Sequence, residues 1–251
     1  MATEVKQSEW EGMARLDFTF NGRECILIRP KQRSDKSDSG KMVMYMEYFG
    51  AFPNTAISLV EQGYHLSYIK NSNRWGTDDD QHMRRDFVDF LAEEYGLSRR
   101  FVTIGMSAGG VTSVNFAYLY PDYVSVLYLD APAMNLLSAP LGYNKPARNE
   151  EVVKEVLDAL GLTESEMLSF RGHPMDKMGT LVERNIPVVL VYGDSDSIVP
   201  YEENGKLLAD FYEKHGKSDI ISVFGKEGCE HHPHGLPDPK PIVDFILKHD
   251  K

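Results

Sequence analysis

Residues 105–109 read Gly-Met-Ser-Ala-Gly, a serine with a glycine two places away on either side. A serine hydroxyl is a weak nucleophile until it is presented bare, beside a base. Small residues on both sides allow the sharp turn that presents it. The flanking sequence supplies the rest of the setting. An apolar run, FVTIG over 101–105, feeds the turn, and a helical pattern leaves it with Val114, Ala117 and Tyr118 on one face before Pro121. Strand, G-x-S-x-G, helix is the context in which this pattern exposes a nucleophile. A helix beginning at Ser107 would also favour developing negative charge there.

A serine used this way needs a base, and the base needs a carboxylate to fix its tautomer and stabilise its charged form. Downstream, the apolar run PVVLVY leads into GDSDSIVP over 193–200. Residues 228–236 then read GCEHHPHGL and hold three of the chain's eight histidines. His231, His232 and His234 are the candidate bases, and Asp196, Asp130 and Asp194 the candidate acids. Asp194 also fits a turn residue that bonds its own backbone. Three close imidazoles raise a metal reading. No matching Cys, His or carboxylate cluster stands elsewhere at ligand spacing, so no metal and no cofactor are expected. His65, His82, His173, His215 and His249 belong to no motif.

The elements that must position these groups alternate in type. RLDFTF (15–20) and ECILIR (24–29) flank Asn21-Gly22, a strong hairpin signal because both residues tolerate positive φ. Short apolar strands follow at 42–47, 65–70, 101–105, 124–130, 187–192 and 219–225. Helical patterns lie near 55–62, 80–95, 108–120, 149–160, 201–215 and 239–249. Such alternation predicts an α/β fold: a mostly parallel central sheet, helices on both faces, and an N-terminal antiparallel hairpin. One interval breaks the rhythm. Residues 131–186 fill a connection of about 55 residues where 2–6 are usual, and EEVVKEVLDALG within it has helical spacing with a glycine stop. The expectation is a single domain over 1–251 with a small cap insertion at 131–186.

The order strand, G-x-S-x-G, long insertion, strand, GDSDSIVP, strand, HHPH resembles the α/β-hydrolase superfamily over roughly residues 20–249. EYFGAFP, GMSAGG, GDSDSIVP and HHPHGL look similar to compact bacterial esterases of that superfamily, including those acting on acylated carbohydrates. The resemblance implies the chain order serine, acid, histidine. It puts the acid at Asp196, three residues after Gly193 and ahead of Val199-Pro200. It points to His231 in Gly228-x-x-His as the base, with His232 and His234 left open. It also implies an oxyanion hole made of backbone N–H groups: Ala108, directly after the serine, and Tyr48 or Phe49 in the loop after MVMYME. That loop lacks the His-Gly pair that many relatives carry. Phe52 reads as core packing. Trp75, in NSNRWGTDD, fits either a pocket wall or a local core plug.

The implied activity is hydrolysis of a carboxylic ester through an acyl-serine intermediate. A short acyl group, acetyl above all, on a small molecule or an oligosaccharide is the expected substrate. A peptidase of the same fold and a non-catalytic binding protein on the scaffold are the competing readings. Composition agrees with a soluble enzyme: 251 residues, 42% hydrophobic and 26% charged, with a net charge of −11. No basic patch for nucleic acid or anionic lipid is visible, and the stretch Lys31 to Lys36 reads as a polar loop. No apolar run reaches the ~18 residues of a membrane helix, and the N-terminus has no apolar export segment, so a cytoplasmic location is the default expectation. Cys25 and Cys229 sit in no metal or redox motif. The sequence carries no signal for oligomeric state.

Overall fold

The computed structural model describes residues 5–31, 39–143 and 148–251. Most of the Lys31 to Lys36 stretch and part of the 131–186 interval lie outside the described residues. Asn21 and Gly22 take φ values of 47° and 82°, the left-handed pair that a two-residue hairpin turn needs. They join strand β2 (Met13–Phe20) to β3 (Arg23–Arg29). A further strand, β1 (Lys6–Trp10), pairs antiparallel with β2. Its sequence KQSEW is exposed nearly throughout. No apolar alternation announces it, because only its backbone is used in pairing.

The rest of the chain alternates as expected. β4 (Met42–Tyr45), α1 (Asn54–Glu61), β5 (His65–Ile69), α2 (Asp78–Tyr95), β6 (Phe101–Met106), α3 (Ala108–Leu119) and β7 (Val124–Asp130) follow in order. After the long interval come β8 (Val188–Gly193), α7 (Gly205–Lys214), β9 (Ile221–Lys226) and α8 (Lys240–His249). The interval itself holds α4 (Glu150–Leu160), α5 (Glu164–Met167) and α6 (Met178–Glu183). The nine strands form one mixed sheet in the order β1-β2-β3-β5-β4-β6-β7-β8-β9. From β5 through β9 neighbouring strands are parallel, while β1 to β3 and the β3–β5 pair are antiparallel.

Both faces are covered, so the parallel strands are apolar on both sides: every residue of β4, β6 and β7 is buried. One core layer joins the sheet to α2, α3, α6 and α7 through Phe87, Leu91, Val114, Phe116, Leu181, Leu208 and Tyr212. The opposite layer uses α1 and α8, through Leu59, Val60, Ile242 and Ile246. Within the 131–186 interval, α6 therefore belongs to the main helical layer. Helices α4 and α5 pack in a smaller cluster, with Val156 and Met167 against Trp75, Ala108 and Leu141.

The strand order determines where a site can form. After β4 the chain steps to β5 on one side, then returns past β4 to β6 on the other. At such a reversal the connections leave in opposite directions and open a crevice at the carboxyl ends of the strands. The loops after β4 and β6 flank that crevice. Among the described residues no helix is long and apolar enough to cross a membrane.

Candidate active site

Ser107 is the residue between β6 and α3, and its backbone is strained: φ 51°, ψ −117°. A non-glycine residue there costs of order 1–3 kcal/mol and persists only when its surroundings over-determine it. They do. The Ser107 N–H donates to the Asp130 carbonyl at 2.9 Å, and its own carbonyl accepts from Gly110 at 2.9 Å and Ala133 at 3.2 Å. The neighbouring glycines are required by space. A Cβ on Gly105 would sit 2.2 Å from Ser113 Oγ and 2.8 Å from the Gly109 carbonyl, and one on Gly110 would sit 2.5 Å from Pro132 Cβ.

Three loops from distant parts of the chain meet at this serine. His231, after β9, places Nε2 3.0 Å from Ser107 Oγ and Nδ1 2.7 Å from Asp196 Oδ2. Asp196, after β8, has its other oxygen fixed by the N–H groups of Ile198 at 2.9 Å and Val199 at 2.8 Å. Burial pushes the Asp196 carboxyl up. The hydrogen bonds from His231 and the Val199 and Ile198 amides outweigh it, and the net shift is down. His231 and Asp196 are both buried. Asp194 turns the other way: its Oδ1 accepts from the Gly228 N–H at 2.8 Å and from Ser195 Oγ at 3.0 Å.

Asp130 has a different partner. It ends β7, fully buried, and accepts from His234 Nδ1 at 2.8 Å, the Gly235 N–H at 2.5 Å and the Tyr128 hydroxyl at 3.3 Å. Lys226 Nζ lies 3.9 Å from it and donates to the Pro233 carbonyl. This second carboxylate–imidazole pair anchors the histidine loop to the end of the sheet. His232 is exposed and, among the described residues, bonds neither Ser107 nor an acid; its ring stacks on Phe52, which also meets His234 edge-on.

A cavity of about 350 Å³ opens at Ser107. Tyr48, Trp75, Ala108, Ala133, Val152 and Val199 give it mostly apolar walls, with Arg74 and Arg148 at its edge. Helix α4 lines one side of it through Val152. Trp75 is only 3% exposed. It both lines the cavity and fills the small core around Ala108, so pocket wall and core plug are one role here. In the loop after β4, Tyr48 reaches the cavity, whereas the Phe49 side chain turns to Trp10, Tyr45 and Tyr68. A turn from Tyr48 to Ala51, closed by a 3.0 Å backbone bond, sets that loop's path.

No family profile matches the sequence, and no curated protein matches it. Solved structures do match. A carboxylesterase from Lactobacillus plantarum WCFS1 is similar at TM-score 0.64 and 12% identity, over 98% of this chain and 98% of that one. An α/β hydrolase enzyme from the metagenome of lagoon sediments of Mar Chica, Morocco, is similar at TM-score 0.57 and 13% identity, over 99% of this chain and 100% of that one. The chain has the α/β-hydrolase fold. An acylaminoacyl peptidase from Pyrococcus horikoshii is also similar, at TM-score 0.65 and 14% identity, but this chain, 99% covered, spans only 42% of it.

Within this α/β-hydrolase fold, a polar network below the serine has no motif in the sequence. Arg84, on the inner face of α2, is fully buried and bonds Gln81 Oε1 at 2.5 Å, Asn71 Oδ1, and the Met46 carbonyl at 3.4 Å. Burial pulls its guanidinium down to about 10. Asn71 also donates to Glu47 at 2.6 Å. One turn earlier, Asp80 accepts from Ser72 and Asn73 and pairs with Arg23. Together these groups tie the loop after β4, with Tyr48, to the loop after β5, with Arg74 and Trp75. The available signal is the face of α2: Asp80, Gln81 and Arg84 occupy buried positions in register with Phe87, Val88 and Leu91.

Proposed function

We propose that the protein is a serine hydrolase that cleaves a carboxylic ester through an acyl-serine intermediate. The observation that carries this reading is the hydrogen-bonded chain from Asp196 through His231 to Ser107 Oγ, 2.7 and 3.0 Å long, opening on an apolar cavity. In this reading His231 Nε2 takes the Ser107 proton as Oγ attacks the ester carbonyl. The carbonyl oxygen becomes an oxyanion, received by the Ala108 N–H and by a second donor at Tyr48 or Phe49. His231 then gives its proton to the departing alcohol. Water, deprotonated by the same imidazole, attacks the acyl-serine and releases the acid. Asp196 stays charged throughout and balances the imidazolium.

The substrate we infer is neutral, with a short acyl group such as acetyl. Arg74 and Arg148 at the cavity edge are already paired, with Glu155 at 2.6 Å and Glu164 at 2.5 Å respectively, so the site offers little to an anionic ester. A carbohydrate as the alcohol rests on the resemblance of the sequence motifs to esterases of acylated sugars. Helix α4 acts as a cap, with Val152 against the acyl group. Likeness to an acylaminoacyl peptidase keeps amide cleavage as the second reading. A panel of p-nitrophenyl esters, acetylated oligosaccharides and peptide p-nitroanilides tests both. Ester turnover falling steeply with acyl length, and lost in Ser107→Ala, is the expected result. Preference for the anilides would transfer the assignment to a peptidase, and activity retained in Ser107→Ala would remove it.

A further inference from the structure

We propose that His231, His232 and His234 form a three-imidazole site for a zinc-class divalent cation, and that a cation held there withdraws His231 from Ser107. Among the described residues this is the one group of three or more His, Cys or carboxylate side chains close enough to share an ion, with a ring nitrogen of each within 4.8 Å of the others. The rings form a nearly equilateral triangle. Their centres are 4.9, 5.0 and 4.9 Å apart, and their planes are inclined by 58°, 80° and 89°. Bonds of 2.0–2.1 Å to a tetrahedral zinc put imidazole centres about 5.2 Å apart and their ligating nitrogens about 3.4 Å apart. The ring centres therefore stand close to ligating spacing.

Two of the three rings already have the partner a metal ligand needs. Asp196 accepts from Nδ1 of His231, and Asp130 accepts from Nδ1 of His234. A carboxylate on Nδ1 fixes the tautomer, leaves the lone pair on Nε2 and makes that nitrogen a better donor to metal. His234 gives its Nδ1 to Asp130, and among the described residues no hydrogen bond engages its Nε2. His232 is the exposed member and gives an ion its way in. Neither of its ring nitrogens is hydrogen-bonded among the described residues. On His231 the nitrogen left for the cation is the one facing Ser107 Oγ. A bound cation occupies the lone pair that would accept the serine proton. The ion is thus an inhibitor in this scheme, and that half of the inference rests on the proposed role of Ser107.

The test uses tag-free protein stripped with EDTA and dialysed. Zinc is titrated in by calorimetry, and ester hydrolysis is followed over the same concentrations. One zinc per chain is expected, with hydrolysis falling as the site fills. His232→Asn, at an exposed position, is expected to fold, to hydrolyse ester normally without metal, and to bind zinc at least ~10-fold more weakly. Absence of one-equivalent binding, or binding unchanged in His232→Asn, would overturn the site. Binding that leaves hydrolysis untouched would overturn the competition with Ser107. Zinc binding that depends on His232, in a protein that hydrolyses no ester, would keep the site and remove the reading of Ser107 instead.

Discussion

Two carboxylate–imidazole pairs stand side by side at the carboxyl end of the sheet, and they differ in what the second ring nitrogen meets. His231 Nε2 meets Ser107 Oγ, while among the described residues no hydrogen bond holds His234 Nε2. Replacing them should therefore have different consequences. His231→Ala is expected to cost kcat on the order of 10⁴-fold or more, as a member acting in one unit with the serine. His234→Ala leaves Asp130 buried without its imidazole, and is expected to cost about 3 kcal/mol of stability while kcat changes far less. Paired urea melts and ester kinetics on the two variants check this, and a larger kcat loss in His234→Ala would reverse the roles. At this scale the serine was the most legible residue, because a glycine-flanked turn is a local demand written in consecutive positions. Separating Asp196 from Asp130 and His231 from His234 by sequence alone needed a family pattern. Both acids end or follow strands at the same edge, and only the spatial path of the loops decides which imidazole each one meets. Arg84 was marked only by its place on the buried face of α2, and Glu47 by nothing, since their roles depend on segments that meet only in the folded sheet.

The elements followed from hydrophobic pattern wherever burial created one. β4, β6 and β7 are buried on both faces and read as unbroken apolar runs. α4 showed helical spacing, an Asn149 cap that accepts from Glu151 and Val152, and a left-handed Gly161 stop. β1 was silent, because an exposed edge strand pairs through backbone groups and asks nothing of its side chains. Its turn places Glu11 at φ 50°, a conformation glutamate seldom marks in sequence. The long connection was visible by length, but its division was not: α6 joins the main core, while α4 lines the cavity. This lining helix yields a test. Val152→Trp fills space beside Ser107, and is expected to lower kcat/KM for butyryl and longer esters at least ~10-fold relative to acetyl, on the scale of a few methylenes in an apolar pocket. An unchanged chain-length profile would mean that α4 does not border the bound acyl group.

For the molecule as a whole, the reversal of strand order around β4 explains why residues far apart in the chain converge. The loops after β4, β6, β8 and β9 all leave the same end of a parallel sheet, and the crevice opens where neighbouring connections diverge. Holding that end together requires the buried polar groups behind it. Asp80 is 2% exposed. Burial pushes its carboxyl up, but the Ser72 amide and hydroxyl and the Arg23 guanidinium outweigh this and hold it below the usual range. A carboxylate depressed in the folded state stabilises the fold above the ordinary value of ~3.9, and that contribution is lost as pH falls through the folded value. Asp80→Asn is accordingly expected to lose about 3 kcal/mol at pH 7. The gap from wild type should hold down to about pH 5 and narrow in stronger acid. Urea midpoints of both proteins across that range measure it. A gap that widened in acid would show that Asp80 is not held as a buried carboxylate.

The central claim is that Ser107 is an activated nucleophile, and active-site labelling tests it most directly. The intact protein is treated with a fluorophosphonate and the adduct is located by peptide mass spectrometry. One adduct per chain on Ser107 is expected, absent from Ser107→Ala and formed far more slowly in His231→Ala. An unlabelled Ser107 in protein that still hydrolyses ester, or an adduct on another residue, would contradict the account.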